Sequence, residues 1–153
     1  MLKVGDKVKN FSCKDDSGNI INFSDYKGKK TIVFFYPKAD TPGCTAEACS
    51  LRDNYEEISD LGYSILGVSA DNEKKQKSFS NKYNLNFPLI ADSDKVLINI
   101  FGSWGPKKFM GREYEGILRT TFIIDENGFI TNIIEKVKTK EHGEQVLEIL
   151  KNL

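Results

Sequence analysis

A short run of β-branched and aromatic residues, Thr31-Ile32-Val33-Phe34-Phe35, constrains this chain more than any other feature. An unbroken apolar run of that kind reads as a strand buried on both faces, and so as the middle of a sheet covered by helices. Directly after it comes YPKADTPGCTAEACSLR, residues 36–52, which holds two of the four prolines and two of the three cysteines. Pro42 and Gly43 turn the chain, and a helix is expected to begin at Cys44. The unpaired N–H groups and the dipole of a helix N-terminus favour an anion. A thiol placed there is held as thiolate, the form that attacks. This strand, turn and helix start is read as the active site.

The remaining pattern sets the architecture. Val8–Cys13 and Ile20–Phe23, separated by the turn Asp16-Ser17-Gly18-Asn19, predict an N-terminal hairpin. Residues 24–28 read as a loop or a single helical turn. Thr45–Leu61 is expected to be one helix closed by Gly62, and Tyr63–Ser69 a second buried strand. Asp71 or Asn72 caps a polar helix through Lys82, and Pro88 suits an edge strand over 87–90. Asp92–Phe101 reads as a helix and Gly102–Gly116 as irregular, with the single tryptophan, Trp104, as a packing residue. Leu118–Asp125, the turn at Asn127-Gly128 and Phe129–Glu135 form a hairpin. Glu141–Leu153 closes the chain with apolar positions at helical spacing. The order predicts one α/β domain over residues 1–153. Its expected fold is thioredoxin-like, a mixed central sheet flanked by helices, with an N-terminal β-hairpin extension.

Composition removes several functions. Lys plus Arg and Asp plus Glu balance at 22 each, so no field of one sign favours nucleic acid or an anionic membrane. No apolar run reaches membrane-spanning length, and the N-terminus has no signal-like core. A cytoplasmic protein is expected, with an organelle form cut from a transit peptide left open. Three cysteines are too few for a disulfide scaffold. Zinc fits poorly, because the close pair is spaced C-x4-C and the only histidine, His142, lies far along the chain. No metal or cofactor is expected.

Several residues qualify as partners of Cys44. Arg119 is an isolated arginine in the apolar stretch ILRTTFIID, where a guanidinium is costly unless it faces an anion; the alternative is a strand-end arginine paired with a surface carboxylate. Arg52 is a second cation, about two turns past Cys44. Thr41 can donate to the sulfur or a bound oxygen, or simply shape the turn. Pro37 and Pro42 stiffen the loop, and the N–H groups of Gly43 and Cys44 can stabilise developing negative charge. Glu47 either anchors Arg119 or complements the helix dipole, the second being the simpler role. On an intact helix Cys44 and Cys49 are about 8.7 Å apart between Cα atoms, from roughly 7.5 Å of rise and about 140° of rotation. That exceeds the roughly 7 Å limit for a disulfide. Either Cys49 is a buried apolar residue, or the pair reacts only when the helix start unwinds.

The spacing Pro37-x3-Thr41-x2-Cys44 resembles the active-site signature of the peroxiredoxins. The block YPKADTPGCTAEACSLRD is similar to the peroxiredoxin Q branch, also called bacterioferritin comigratory protein, and WGPKKFMGREYEGILRTTFIID matches the block that carries the family's arginine at Arg119. The resemblance runs from about Val4 to the C-terminal helix. It implies a thiol-dependent peroxidase that reduces hydrogen peroxide and alkyl hydroperoxides to water and alcohols in antioxidant defence. By the same resemblance Cys44 is the peroxidatic cysteine and Cys49 the resolving one, joined in an intrachain disulfide that thioredoxin or a similar dithiol reduces. Thr41 and Arg119 bind the peroxide and Pro37 shields the pocket, which Gly43 and Glu47 complete. The branch implies a monomer. Cys13 lies outside the motif and receives no role.

Two other functions share these features. A dithiol reductase or isomerase has the same fold and thiolate but wants C-x-x-C. A redox-sensing or chaperone-like binding module would use the disulfide switch to expose surface. Turnover separates them, since a sensor oxidises once and stops.

Overall fold

The structure, a computed structural model, describes residues 1–153. Strands β1 (Ser12–Lys14) and β2 (Ile20–Asn22) form the N-terminal hairpin, and β3 (Lys30–Phe35) follows. Then come α1 (Pro42–Asp53), α2 (Tyr55–Asp60), β4 (Tyr63–Ser69) and α3 (Glu73–Tyr83). β5 (Leu89–Ala91), α4 (Val96–Phe101), β6 (Trp104–Phe109) and β7 (Arg112–Ile117) lead to β8 (Thr120–Ile124), β9 (Ile130–Ile134) and α5 (His142–Lys151).

The main sheet has the order β5-β4-β3-β8-β9. β3 runs parallel to β4 and antiparallel to β8, so Ile32 is flanked by Ile65 on one side and Ile123 on the other. The expected central strand is therefore the middle of a mixed sheet. Its period of two divides the core. Ile32, Phe34 and Tyr36 face Ala48 and Leu51 of α1, Phe79 of α3 and Val146 and Leu150 of α5. Val33 and Phe35 face the other way, into Leu97, Ile98 and Phe101 of α4 and Phe11 and Ile21 of the N-terminal part. Each fully buried Phe or Ile contributes roughly 1.5–3 kcal/mol relative to exposure. The fold is the thioredoxin-like α/β arrangement that the element order predicts.

Three elements depart from expectation. The helix read as 45–61 is two helices, broken at Asn54, whose side-chain Nδ2 donates to Ser50 O at 2.8 Å. The N-terminus of α5 presses into this break, with Gly143 N donating to Ser50 Oγ at 2.8 Å. Residues 102–116, read as irregular, contain the hairpin β6–β7, paired from Trp104↔Ile117 to Phe109↔Arg112. Met110 and Gly111 make its turn with φ of 52° and 77°, the left-handed pair that suits a two-residue hairpin loop. Trp104 is exposed on β6, with Lys95 Nζ 4.2 Å from its ring centre, and is not a core residue. Finally, α4 starts at Val96 rather than Asp92. Asp92 caps it from outside, accepting from Val96 N and Ile98 N at 2.8 Å.

Candidate active site

β3 delivers the chain to a loop held from several sides. Ala39 N donates to Asp71 Oδ2 at 2.7 Å, at the end of β4. Asp40, at φ 60°, accepts from Lys82 Nζ at 3.0 Å and from Tyr83 Oη at 2.9 Å on α3. Thr41 closes the loop by donating its hydroxyl to Lys38 O at 2.8 Å, so its oxygen keeps lone-pair capacity while the loop around Pro37 is pinned.

The helix starts two residues earlier than its first cysteine. Thr41 is the N-cap and Pro42 the first helical residue, where a missing N–H costs nothing. The first helical bond is Thr45 N to Thr41 O at 2.8 Å. The N–H groups of Gly43 and Cys44 precede it and stay outside the helical ladder. Cys44 is 1 % exposed, its thiol set in the core layer against this polar helix start.

Arg119, in the segment between β7 and β8, lies over the same turn. A Cβ on Gly43 would come 3.2 Å from Arg119 Nη2, so the glycine makes room for the guanidinium. Arg119 Nη1 donates to Glu47 Oε1 at 2.7 Å. Although burial acts to lower it, the facing Cys44 and Glu47 hold Arg119 above its ordinary value. The segment is fixed on both sides. Lys107 Nζ donates to Ile117 O at 2.8 Å, Leu118 N to Ser103 O at 2.9 Å, and Ser103 Oγ meets Thr120 Oγ1 at 2.8 Å.

Glu47 is not a first-turn acid, the simpler role considered for it, because α1 starts at Pro42 and its first turn holds no acidic residue. Its side chain is fully buried and paired with Arg119. Burial pushes its carboxyl up to about 7 against the pull of Arg119. Arg52, the other cation considered, is turned away, donating to Tyr83 O at 2.6 Å and pairing with Asp53.

His142 was not singled out for this site, yet its Nε2 lies 3.5 Å from Glu47 Oε2 and 2.7 Å from Thr121 Oγ1. The signal for it was faint: His142 shares the stripe of Val146 and Leu150 at four-residue steps on an amphipathic helix, a position that goes inside. Cys49 is half-buried, free and one helical turn beyond the site, its thiol held up by burial. Cys13 belongs to the opposite face of the sheet, where burial and then Asp92 and Asp15 push it up to about 12.

A thioredoxin-like sheet that presents a helix-start thiol beneath a half-buried guanidinium defines the peroxiredoxin class of thiol-dependent peroxidases. The model of the AhpC/TSA family matches residues 4–133. Peroxiredoxin Bcp of Escherichia coli is 45 % identical over 150 residues, covering 98 % of this chain and 96 % of that protein. Peroxiredoxin Bcp of Bacillus subtilis is 42 % identical over 152 residues, with 99 % and 97 % covered. Among solved structures, a cysteine variant of PrxQ from Xylella fastidiosa superposes with a TM-score of 0.93 at 30 % identity, covering 99 % of this chain and 97 % of that one. Peroxiredoxin Q of Xanthomonas campestris gives 0.87 at 32 % identity, with 93 % and 90 % covered. The chain belongs to the AhpC/TSA family, in its Bcp/PrxQ branch, and is a thiol-dependent peroxidase. No helix is long and apolar enough to cross a membrane.

Proposed function

We propose that Cys44 is the peroxidatic cysteine and Cys49 the resolving one, acting within a single domain over residues 1–153. The observation that carries this reading is Arg119 lying against Gly43 and facing Cys44, with the free N–H groups of the first helical turn beside them. Cys44 sulfur, as thiolate, attacks one oxygen of the peroxide. The O–O bond breaks, its electron pair leaves on the other oxygen, and that oxygen takes a proton to become water or an alcohol. Arg119 and the Gly43 and Cys44 N–H groups stabilise the charge that develops on both oxygens. Thr41 holds the peroxide with its remaining lone pairs, and Pro37 walls the pocket. Glu47 holds Arg119 in place.

Cys44 is left as a sulfenic acid. Cys49 sulfur then displaces its hydroxyl as water and forms the disulfide, which a dithiol of the thioredoxin type reduces. On the intact α1 the two Cα atoms are about 8.7 Å apart, so the first turns of α1 unwind for this step. The substrate class includes alkyl hydroperoxides beside hydrogen peroxide; a solved relative from Xanthomonas campestris is described in terms of its alkyl peroxide reduction activity. A working monomer is the state that the resemblance to the Bcp/PrxQ branch implies. Three free thiols and the need for a dithiol donor suit the cytoplasm.

Intact mass after one equivalent of hydrogen peroxide, followed by digestion without reductant, tests the scheme. A loss of two hydrogens and a peptide linking 44 to 49 is expected. One added oxygen on Cys44 with Cys49 free would assign resolution to an external thiol, and no change at either cysteine would overturn the assignment.

A further inference from the structure

The hairpin β6–β7 carries a pair of glycines whose empty places are both filled. Gly105 and Gly116 face each other across its ladder. A Cβ on Gly105 would come 3.3 Å from Leu118 Cδ1, and one on Gly116 would come 3.2 Å from Lys107 Cδ. Both distances are tighter than ordinary van der Waals contact, so the bare backbone is a seat for two side chains. One of them belongs to the residue directly before Arg119. The other, Lys107, pairs with Tyr114 nearer the hairpin tip and shares a face with the glycines, two positions from Gly105 along its strand. Its stem runs over Gly116 toward the base of the hairpin, where Nζ donates to Ile117 O at 2.8 Å.

We propose that Lys107 is a positioning residue for peroxide reduction: seated over Gly116 and tied to Ile117 O, it fixes residues 117 and 118 and with them the point from which Arg119 reaches Gly43 and Cys44. The inference rests on the roles given above to Cys44 and Arg119. The hairpin is a two-stranded sheet of its own, outside the main one, so its base takes no position from the main ladder. Arg119 is strung between this hairpin and β8. On the β8 side Ser103 and Thr120 hold the segment. On the hairpin side Lys107 does.

Arg119 has little slack. Its Nη1 is 2.7 Å from Glu47 Oε1 and its Nη2 lies against Gly43, so a shift of the backbone at 117–118 is absorbed at the guanidinium. The ammonium is placed there against its own charge. Burial and then Arg119 lower Lys107, while Cys44 pulls it up, so it stands close enough to feel both groups. A neutral side chain would escape the repulsion from Arg119. It would also give the Ile117 carbonyl a weaker bond, since a charge-assisted donor is roughly twice as strong as a neutral one.

The test compares two reactions of Cys44 in the reduced full-length protein, each followed at that residue by peptide mass. Oxidation by hydrogen peroxide needs the guanidinium in place, whereas alkylation by iodoacetamide needs only the thiolate. Lys107→Met keeps the stem and removes the donor. Its oxidation should slow by about 10- to 100-fold, since a misplacement of about 1 Å costs up to about 100-fold, with alkylation within about twofold of the parent. Lys107→Arg restores a charged donor and should recover most of the peroxide rate. Gly105→Ala leaves Lys107 in place but lifts Leu118, and should slow oxidation several-fold with the same selectivity; it also covers the case in which the methionine variant does not fold. A parent-like peroxide rate in Lys107→Met, or an equal loss in both reactions, would overturn the proposal. A parent protein whose Cys44 is alkylated but not oxidised would instead fail the peroxidatic assignment, and the proposal with it.

Discussion

Gly143 and Ser50 meet with no room for a side-chain carbon between them. A Cβ on Gly143 would fall 2.4 Å from Ser50 O and 2.3 Å from Asn54 Nδ2. The start of α5 is thereby latched onto the part of α1 that follows Cys49. Gly143→Ala should lower stability by about 1–3 kcal/mol through overpacking. It should also speed hydrogen exchange of α1 amides. Faster unwinding favours the disulfide over a second oxidation, so less Cys44 sulfinic acid should form at high peroxide. Parent exchange rates in α1 would remove the latch from the cycle.

Cys44→Ser should abolish turnover, because no other thiol is placed beneath Arg119. Cys49→Ser should reduce one equivalent of peroxide at nearly the parent rate and then stop with thioredoxin as the donor. Peroxide consumption per enzyme, followed over many equivalents, separates the two; sustained thioredoxin-supported cycling by Cys49→Ser would exclude Cys49 as the resolving thiol.

Arg119→Lys keeps the charge but loses the fork that spans Glu47 and the first turn of α1. Loss of one charge-assisted hydrogen bond, worth about 1.5–3 kcal/mol, corresponds to a roughly 10- to 150-fold slower Cys44 oxidation. Single-turnover kinetics with hydrogen peroxide measures it, and a rate within about twofold of the parent would contradict the role.

Glu47 and His142 act on stability with opposite signs. Glu47 is raised from 4.5 to about 7 on folding, so the folded state holds an extra proton between those values and stability falls as pH rises through them. His142 is lowered from 6.5 to about 4, so the unfolded state holds the extra proton and stability rises with pH over that window. Where the windows overlap the two slopes cancel, leaving this pair's net contribution nearly flat. Glu47→Gln should expose the histidine term, with stability climbing at up to about 1.4 kcal/mol per pH unit as pH rises from about 4 to 6.5. Denaturation midpoints measured across that range check it; a flat profile in the variant would contradict the balance.

The parts of the fold that were legible share one trait. β3 and β4 are continuous apolar runs fixed by burial on both faces, and the thiol after β3 is marked by its turn chemistry. The hairpin β6–β7 was not legible, because it stands away from the core: charged residues, Pro106 and two glycines occupy positions that burial would have patterned. The break at Asn54 was hidden because its cause, the tip of α5, arrives from the far end of the chain. Arg119 drew attention by its cost in an apolar strand. Glu47 reads in the sequence as a possible anchor for Arg119, with the dipole role the simpler one, and His142 only as a distant zinc ligand, since its place beside Glu47 is set by the fold.

The continuity of α1 from Pro42 to Asp53 also bears on how a reductase chooses its target. In the proposed cycle a 44–49 disulfide cannot exist on that helix, so oxidation is written into the backbone as well as the sulfurs. A reductase that docks on the unwound segment reads outline before chemistry. The product of its own reaction, refolded into a helix, no longer fits, and release follows from the same coiling that readies the thiol for the next peroxide.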